Sequence, residues 1–273
     1  MRSLFISTII TIAAFQSAQA SVMGVGQKSF RAEYADSKSS EIYTGDGTKV
    51  EYKAIGPLGG IDKRDSKNLT LGQSFGIGSN SQIDLGLVYS DVDATKATRG
   101  GIAEVSARYV YNAYANDNFD VNVGFGFRAA GDNKGGSNFQ SLSDGLTKYD
   151  YSLDLGYTLG LFKVGLNSRY TDRNSDVSKP VTTFELYGAY FPVSDVFVSL
   201  SYLTLNTAGG TDVLAAGFDF STLQEKYNAV ALAAGYNINE TYAVDARFAQ
   251  KLASNARNTD ALTTVSLGLT LNY

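Results

Sequence analysis

From Ala261 to Tyr273 the chain reads Ala-Leu-Thr-Thr-Val-Ser-Leu-Gly-Leu-Thr-Leu-Asn-Tyr. Val265, Leu267, Leu269, Leu271 and Tyr273 alternate with Ser266, Gly268, Thr270 and Asn272. Successive side chains of a strand point to opposite faces, so one face of this segment is wholly apolar and the other small and polar. The same period of two recurs along the chain. Phe30, Ala32 and Tyr34 form one apolar row, and a long polar, glycine-bearing stretch then runs to Asp65. Leu69, Leu71, Phe75 and Ile77 lead into a turn at Ser79-Asn80-Ser81, and Ile83, Leu85, Leu87 and Tyr89 lead back. After a polar loop over Val92–Gly101 come Ala103, Val105, Ala107, Tyr109 and Tyr111, a turn at Asn116-Asp117-Asn118, then Phe119, Val121, Val123, Phe125 and Phe127.

Gly131–Thr147 is again long and polar. Tyr149, Tyr151, Leu153, Leu155 and Tyr157 descend to Leu159-Gly160, and Phe162, Val164, Leu166 and Tyr170 rise to a loop ending at Lys179-Pro180. Phe184, Leu186 and Tyr190 reach Pro192–Asp195, and Val196, Val198, Leu200 and Tyr202 rise to a loop over Thr207–Glu225. Val230, Leu232, Ala234 and Tyr236 descend to Ile238–Thr241. Tyr242, Val244, Ala246 and Phe248 rise to a last loop over Leu252–Asp260.

The pattern predicts about twelve strands, each near the 9–11 residues that a tilted strand needs to cross a bilayer. Connections alternate strictly between short and long, and aromatics such as Tyr111, Tyr157, Phe162, Tyr190, Tyr236, Tyr242 and Tyr273 flank the short ones. Tyr89, Tyr151, Tyr170 and Tyr202 stand nearer the long ones. Two aromatic girdles with loops of unequal length predict an all-β, transmembrane, antiparallel up-and-down barrel with short periplasmic turns and long extracellular loops. Gly45-Asp46-Gly47 reads as a hairpin tip, and if that hairpin also spanned the count would be fourteen. Its faces mix Glu51 and Lys53 with Val50 and Tyr52, which favours twelve.

The ending resembles the C-terminal strand of bacterial outer-membrane β-barrels, which commonly close on an aromatic. The resemblance implies that Leu269, Leu271 and Tyr273 carry the signal read by the outer-membrane assembly machinery. Three further stretches, Gln82-Ile83-Asp84-Leu85-Gly86-Leu87, Ala107-Arg108-Tyr109, and Gly124-Phe125-Gly126-Phe127 running to Gly131-Asp132, resemble stations of the MetA-pathway of phenol degradation barrels. Those are regarded as outer-membrane channels for aromatic compounds. The family often has Pro before the Gly-Asp, where this chain has Ala129-Ala130.

At the other end, Met1-Arg2, an apolar run over Leu4–Phe15 and Ala18-Gln19-Ala20 match a secretory signal peptide cut after Ala20. The run is too short for a spanning helix, which needs about 20 apolar residues. The expected division is a signal peptide over 1–20 and a barrel over 21–273, exported to the outer membrane of a Gram-negative cell.

Composition narrows the chemistry. There is no cysteine, so no disulfide holds the fold, and no histidine, which removes His-based catalysis and His-ligated metals. A net charge of −4 gives a nucleic-acid partner no support. Mean hydropathy is only −0.11, as expected where every second residue faces lipid.

The predicted inward faces carry Arg31, Glu33, Asp84, Glu104, Arg108, Asp120, Arg128, Asp150, Asp154, Lys163, Arg169, Glu185, Asp245 and Arg247. They form either a charge-selecting constriction or a network of neutralising pairs. Asp150 and Asp154 are spaced for an acid/base couple but lack a partner motif. Asp91 with Asp93, and Asp172 with Asp176, could hold calcium or simply be solvated. No cofactor and no metal is expected. Inward Gly72, Gly76, Gly86, Gly124, Gly126, Gly156, Gly165 and Gly268 are expected to leave space in the lumen. The run Val213–Phe220 is apolar inside an extracellular loop. Val213, Leu214, Phe218 and Phe220 there either pack on the rim or form a gate over the mouth.

Two functions follow from these readings. One is a non-enzymatic channel for passive diffusion of small solutes, hydrophobic or aromatic compounds being candidates. The other is a structural or surface-interaction barrel with a closed lumen. The partners expected are outer-membrane lipid, the assembly machinery and small-molecule solutes.

Overall fold

A computed structural model describes residues 22–55, 61–94, 97–131, 145–175, 178–215 and 222–273. The proposed signal peptide therefore lies outside the described residues. Twelve strands close a single antiparallel barrel. They are β1 (Lys28–Ser39), β4 (Arg64–Gly78), β5 (Ser81–Ala94), β6 (Ala97–Ala115), β7 (Phe119–Ala130), β8 (Lys148–Leu159), β9 (Phe162–Asp172), β10 (Val181–Val193), β11 (Val196–Thr207), β12 (Lys226–Asn237), β13 (Tyr242–Arg257) and β15 (Thr263–Asn272). Each pairs with its neighbour in the chain order. The ring closes where β15 meets β1, with Leu271 opposite Phe30 and Leu269 opposite Ala32. The Lys28 and Tyr273 backbones exchange hydrogen bonds of 2.9 Å in both directions at that seam. Closure removes every edge, so each strand backbone finds its partners inside the barrel, as hydrocarbon demands.

The alternation read from sequence sets which side faces out. Tyr34, Leu69, Leu85, Val105, Phe125, Leu153, Val164, Leu186, Leu200, Leu232, Phe248 and Leu267, one from each strand, are all exposed. Their neighbours in sequence point inward; half of those are buried and none is exposed. A large apolar outer surface over a polar interior inverts the pattern of a soluble protein and suits a lipid surround. The girdle residues Tyr111, Tyr157, Phe162, Tyr190, Tyr236, Tyr242 and Tyr273 are exposed beside the short turns.

Three features differ from the sequence expectation. The stretches expected as polar loops at Val92–Gly101 and Leu252–Asp260 are largely strand: β5, β6 and β13 run to 14, 19 and 16 residues. Outside the bilayer nothing forces alternation of apolar residues, so these extensions carry no hydrophobic period. Second, β6 changes phase twice. Register shifts stand between the Val88 and Tyr89 pairings and between those of Asn112 and Tyr114. The first leaves Ala103 unpaired and buried against Val88 and Val92 instead of on the lipid row. The second lets Tyr111 and Tyr114 both face out. Third, the Gly45-Asp46-Gly47 hairpin does not span. Its arms, β2 (Glu41–Tyr43) and β3 (Lys49–Glu51), join β14 (Thr259–Asp260) in a separate three-stranded sheet at the long-loop end.

Candidate functional site: the lumen and its cover

The structure places the sequence-predicted charged residues on the inner wall, and twelve of the fourteen meet an opposite charge on the same strand, on the next strand or across one or two intervening strands. Arg31 Nη2 donates to Glu33 Oε2 and to the Asp245 carboxylate, each at 2.8 Å, while Nη1 reaches Thr270 Oγ1 at 3.2 Å. Arg128 grips Asp150 through Nε (2.5 Å) and Nη2 (2.7 Å), and the Thr171 hydroxyl donates to the same carboxylate at 2.6 Å. Glu104 lies 3.6 Å from Arg128 and 3.5 Å from Lys148. Arg108 donates to Ser152 and Asp154 at 2.7 and 3.0 Å. Lys163 faces Asp120 at 3.4 Å, and Arg247 faces Glu185 at 3.6 Å. Arg169 lies within the field of Asp150, Asp154, Arg108 and Arg128, and Asp84 accepts from Gln82 at 2.7 Å. Asp150 and Asp154 are thus held by different arginines and do not form a carboxylate couple. Acids and bases alternate around the wall, which gives a polar, nearly neutral lining.

The inward glycines do not leave the free space expected of them. A Cβ on Gly165 would meet the Tyr187 ring, on Gly156 the Asp120 carboxylate, on Gly124 Ser152 and Arg108, on Gly86 Ser106, and on Gly268 Asp245 and Arg31. Gly76 is covered by the backbone of Met23 and Gly24, whose segment lies along the inner wall at the short-turn end. There Met23 N donates to Gln82 Oε1 at 3.0 Å. Gly72 and Gly126 alone of the eight keep ordinary clearance. Each of the other six glycines makes room for a neighbouring group.

The long-loop end is covered from within. Tyr43 on β2 is buried in one cluster with Val181, Leu203, Leu205, Tyr227, Ala229, Ala231 and Ala249, all inward residues of β10–β13. The other side of the small sheet, with Ile42, Tyr52 and Ile55, packs with Ala94 of β5 and with Val213 and Leu223 of the β11–β12 loop. The hairpin therefore reaches across the mouth from one wall to the other. Polar contacts fix its edges. Arg64 donates to Asp260 at 3.1 Å, with both side chains 2% exposed. Lys251 reaches Glu225 (3.2 Å) and Thr259 (2.5 Å), and stands 4.1 Å above the Tyr227 ring. Burial pushes the Tyr52 phenol well above its ordinary range, with the Asp260 charge adding and Arg64 opposing. At the hairpin tip the Thr44 hydroxyl and the Thr48 backbone amide donate to Asp46 and lower its carboxyl.

Of the candidate gate residues, Val213 is fully buried in this cover and Leu214 is 57% exposed; Phe218 and Phe220 lie outside the described residues. Leu269 faces lipid, and Leu271 and Tyr273 close the β15–β1 seam. Asp93 is paired with Lys63 at 2.9 Å, which also holds Asp65, and Asp176 lies outside the described residues. Sequence reading missed Tyr43, Tyr187, Phe197 and Tyr227 as inward aromatics, and Lys148 and Lys251 as inward bases. The phase of each strand would have placed Tyr187 and Phe197; Tyr43 gave no signal, because its segment has no spanning period.

Among solved structures, an outer membrane channel from Pseudomonas putida F1 matches with a TM-score of 0.77 at 12% identity, over 93% of this chain and 97% of that one. This chain shares the barrel fold of that channel. The TodX monoaromatic hydrocarbon channel matches at 0.55 and 9% identity, over 94% of this chain and 93% of that one. The NanC porin matches at 0.54 and 10%, over 89% and 98%. At such identities the likeness is one of fold. No protein-family model and no curated protein matches the sequence.

Proposed function

We propose that this barrel is a non-enzymatic outer-membrane channel through which small solutes diffuse passively. The observation that carries the reading is the division of the same twelve strands into an apolar outer face and a polar, charge-balanced inner wall. A path for solutes across lipid needs a polar lining of this kind. The likeness of fold to channels supports it. Residues 1–20 act as the export signal, the outer membrane of a Gram-negative cell is the destination, and Leu269, Leu271 and Tyr273 present the assembly signal. With acids and bases paired along the wall, neither anions nor cations are strongly preferred. Compact hydrophobic or aromatic solutes fit the upper wall, where Leu203, Leu205, Ala229, Ala231 and Ala249 form an apolar recess.

A second reading, a closed interaction barrel, has its own support in the covered mouth and the filled glycine sites. Reconstitution separates the two. Refolded protein in vesicles should admit small aromatic and polar solutes faster than protein-free vesicles; correctly folded protein that admits neither favours the closed barrel.

A further inference from the structure

We propose that the β2–β3 hairpin is a hatch over the extracellular mouth, clasped at its tip between the β11–β12 loop and the end of β13, and that solute passes only when it swings out. This rests on the channel reading and adds the device that governs it. Three observations carry it.

First, the tip is built for a clasp. A Cβ on Gly45 would fall on the Asp212 carboxylate, and one on Gly47 on the Arg257 guanidinium. Gly47 also has φ of 87°, a conformation that side chains other than glycine rarely adopt. The tip thus slots between a residue of the β11–β12 loop and one at the extracellular end of β13. Second, the hairpin's inner face carries Tyr43 into the apolar recess, where the ring is 6% exposed among Leu203, Leu205 and small alanines. While Tyr43 sits there, no solute can.

Third, among the described residues no long ladder joins the cover to the wall, which holds it by side-chain packing and a few polar contacts. Its strands pair only with each other and with the two residues of β14. By contrast, every barrel strand is laddered on both sides. A unit with short ladders and its own small core opens at lower free energy than the barrel that frames it. Both ends of the hairpin segment leave the barrel wall, at Ser39 of β1 and Arg64 of β4, so it can move outward without breaking a spanning ladder.

The chain has no cysteine, so an introduced pair has no competitor. Gly45→Cys with Asp212→Cys would tie the hairpin tip to the β11–β12 loop. Glu41→Cys with Ala261→Cys, joined by a backbone hydrogen bond of 2.9 Å at the end of the β2–β14 ladder, gives a second lock that keeps Tyr43 should the first fail to form. Solute entry into vesicles is measured for full-length protein, oxidised and then reduced, alongside a variant lacking residues 41–54. The hatch predicts that oxidation lowers entry by about ten-fold or more, that reduction restores it, and that the deletion exceeds wild type. Equal entry in the oxidised and reduced states, with the disulfide verified by mass, overturns the hatch while leaving a channel. No entry through any variant, the deletion included, overturns the channel reading itself.

Discussion

Arg64 and Asp260 stand 196 positions apart in the chain, and their side chains meet at 3.1 Å in a site from which water is almost wholly excluded. Arg64 begins β4 and Asp260 belongs to the strand that holds the hairpin. The pair therefore ties the cover to the barrel wall. Removing one partner takes away the opposite charge that the other faces in a dry site, which costs about 3–5 kcal/mol. Asp260→Ala should carry a loss of that size, read as the shift of the denaturation midpoint in a lipid mimic. Arg64→Met combined with Asp260→Leu should recover most of it, because two apolar groups owe no desolvation cost. A loss of under about 1 kcal/mol for Asp260→Ala would mean that the pair is wet, as surface pairs are.

The outer and inner faces of the wall can be separated by charge. Leu267 is 61% exposed on the outer face, and Leu267→Arg should cost about 2–4 kcal/mol near the bilayer centre. Gly72 faces inward opposite Arg31, with ordinary clearance for a Cβ, so Gly72→Glu should cost far less and alter ion permeation instead. Equal destabilisation by both would show the wall phase to be wrong.

Two inward glycines predict opposite outcomes for one added methyl group. At Gly165 the methyl enters the space of the Tyr187 ring and should cost about 1–3 kcal/mol. At Gly72 it meets nothing closer than a carbonyl at 3.9 Å, and Gly72→Ala should stay within about 0.5 kcal/mol of wild type. Unfolding of both variants in parallel checks the pair, and a Gly165→Ala protein as stable as wild type would show that Tyr187 does not lie on that glycine.

Deleting Leu271-Asn272-Tyr273 removes the contacts of Leu271 with Phe30 and Tyr242, the Tyr273–Lys28 backbone pair, and the 3.0 Å bond from the Tyr273 hydroxyl to Gln73. Strand β1 would then keep an unpaired edge in lipid. Export should continue while heat-modifiable barrel disappears from the membrane fraction. Normal amounts of such barrel would show that closure does not depend on this end.

The spanning strands were legible because lipid on one side and a polar lumen on the other impose a period of two, which Val265 through Tyr273 displays without interruption. The same period assigned Arg31, Asp150 and Arg247 to the inside. It could not tell which of them pair, since pairing depends on strand neighbours and stagger: Arg31 finds Asp245 214 residues away. It was silent at Ala103, where one unpaired residue shifts the phase, and beyond the bilayer, where β5 and β13 continue with no apolar row. The cover was hidden for a related reason. Ile42 and Tyr52 look like scattered apolar residues in a polar loop, Val213 like the start of a separate apolar run, and only the fold brings them into one small core. Six of the eight inward glycines misled because a missing side chain was read as empty space, when a group from elsewhere in the wall or its N-terminal segment occupies it.

The most direct test of a channel under a cover is single-channel recording of the refolded barrel, wild type beside the variant lacking residues 41–54. Discrete current steps are expected from both, brief and rare in wild type and long-lived in the variant. A variant that folds, judged by heat-modifiable migration, and yet passes no current would contradict the account, because a lumen that stays shut without its cover is not a path.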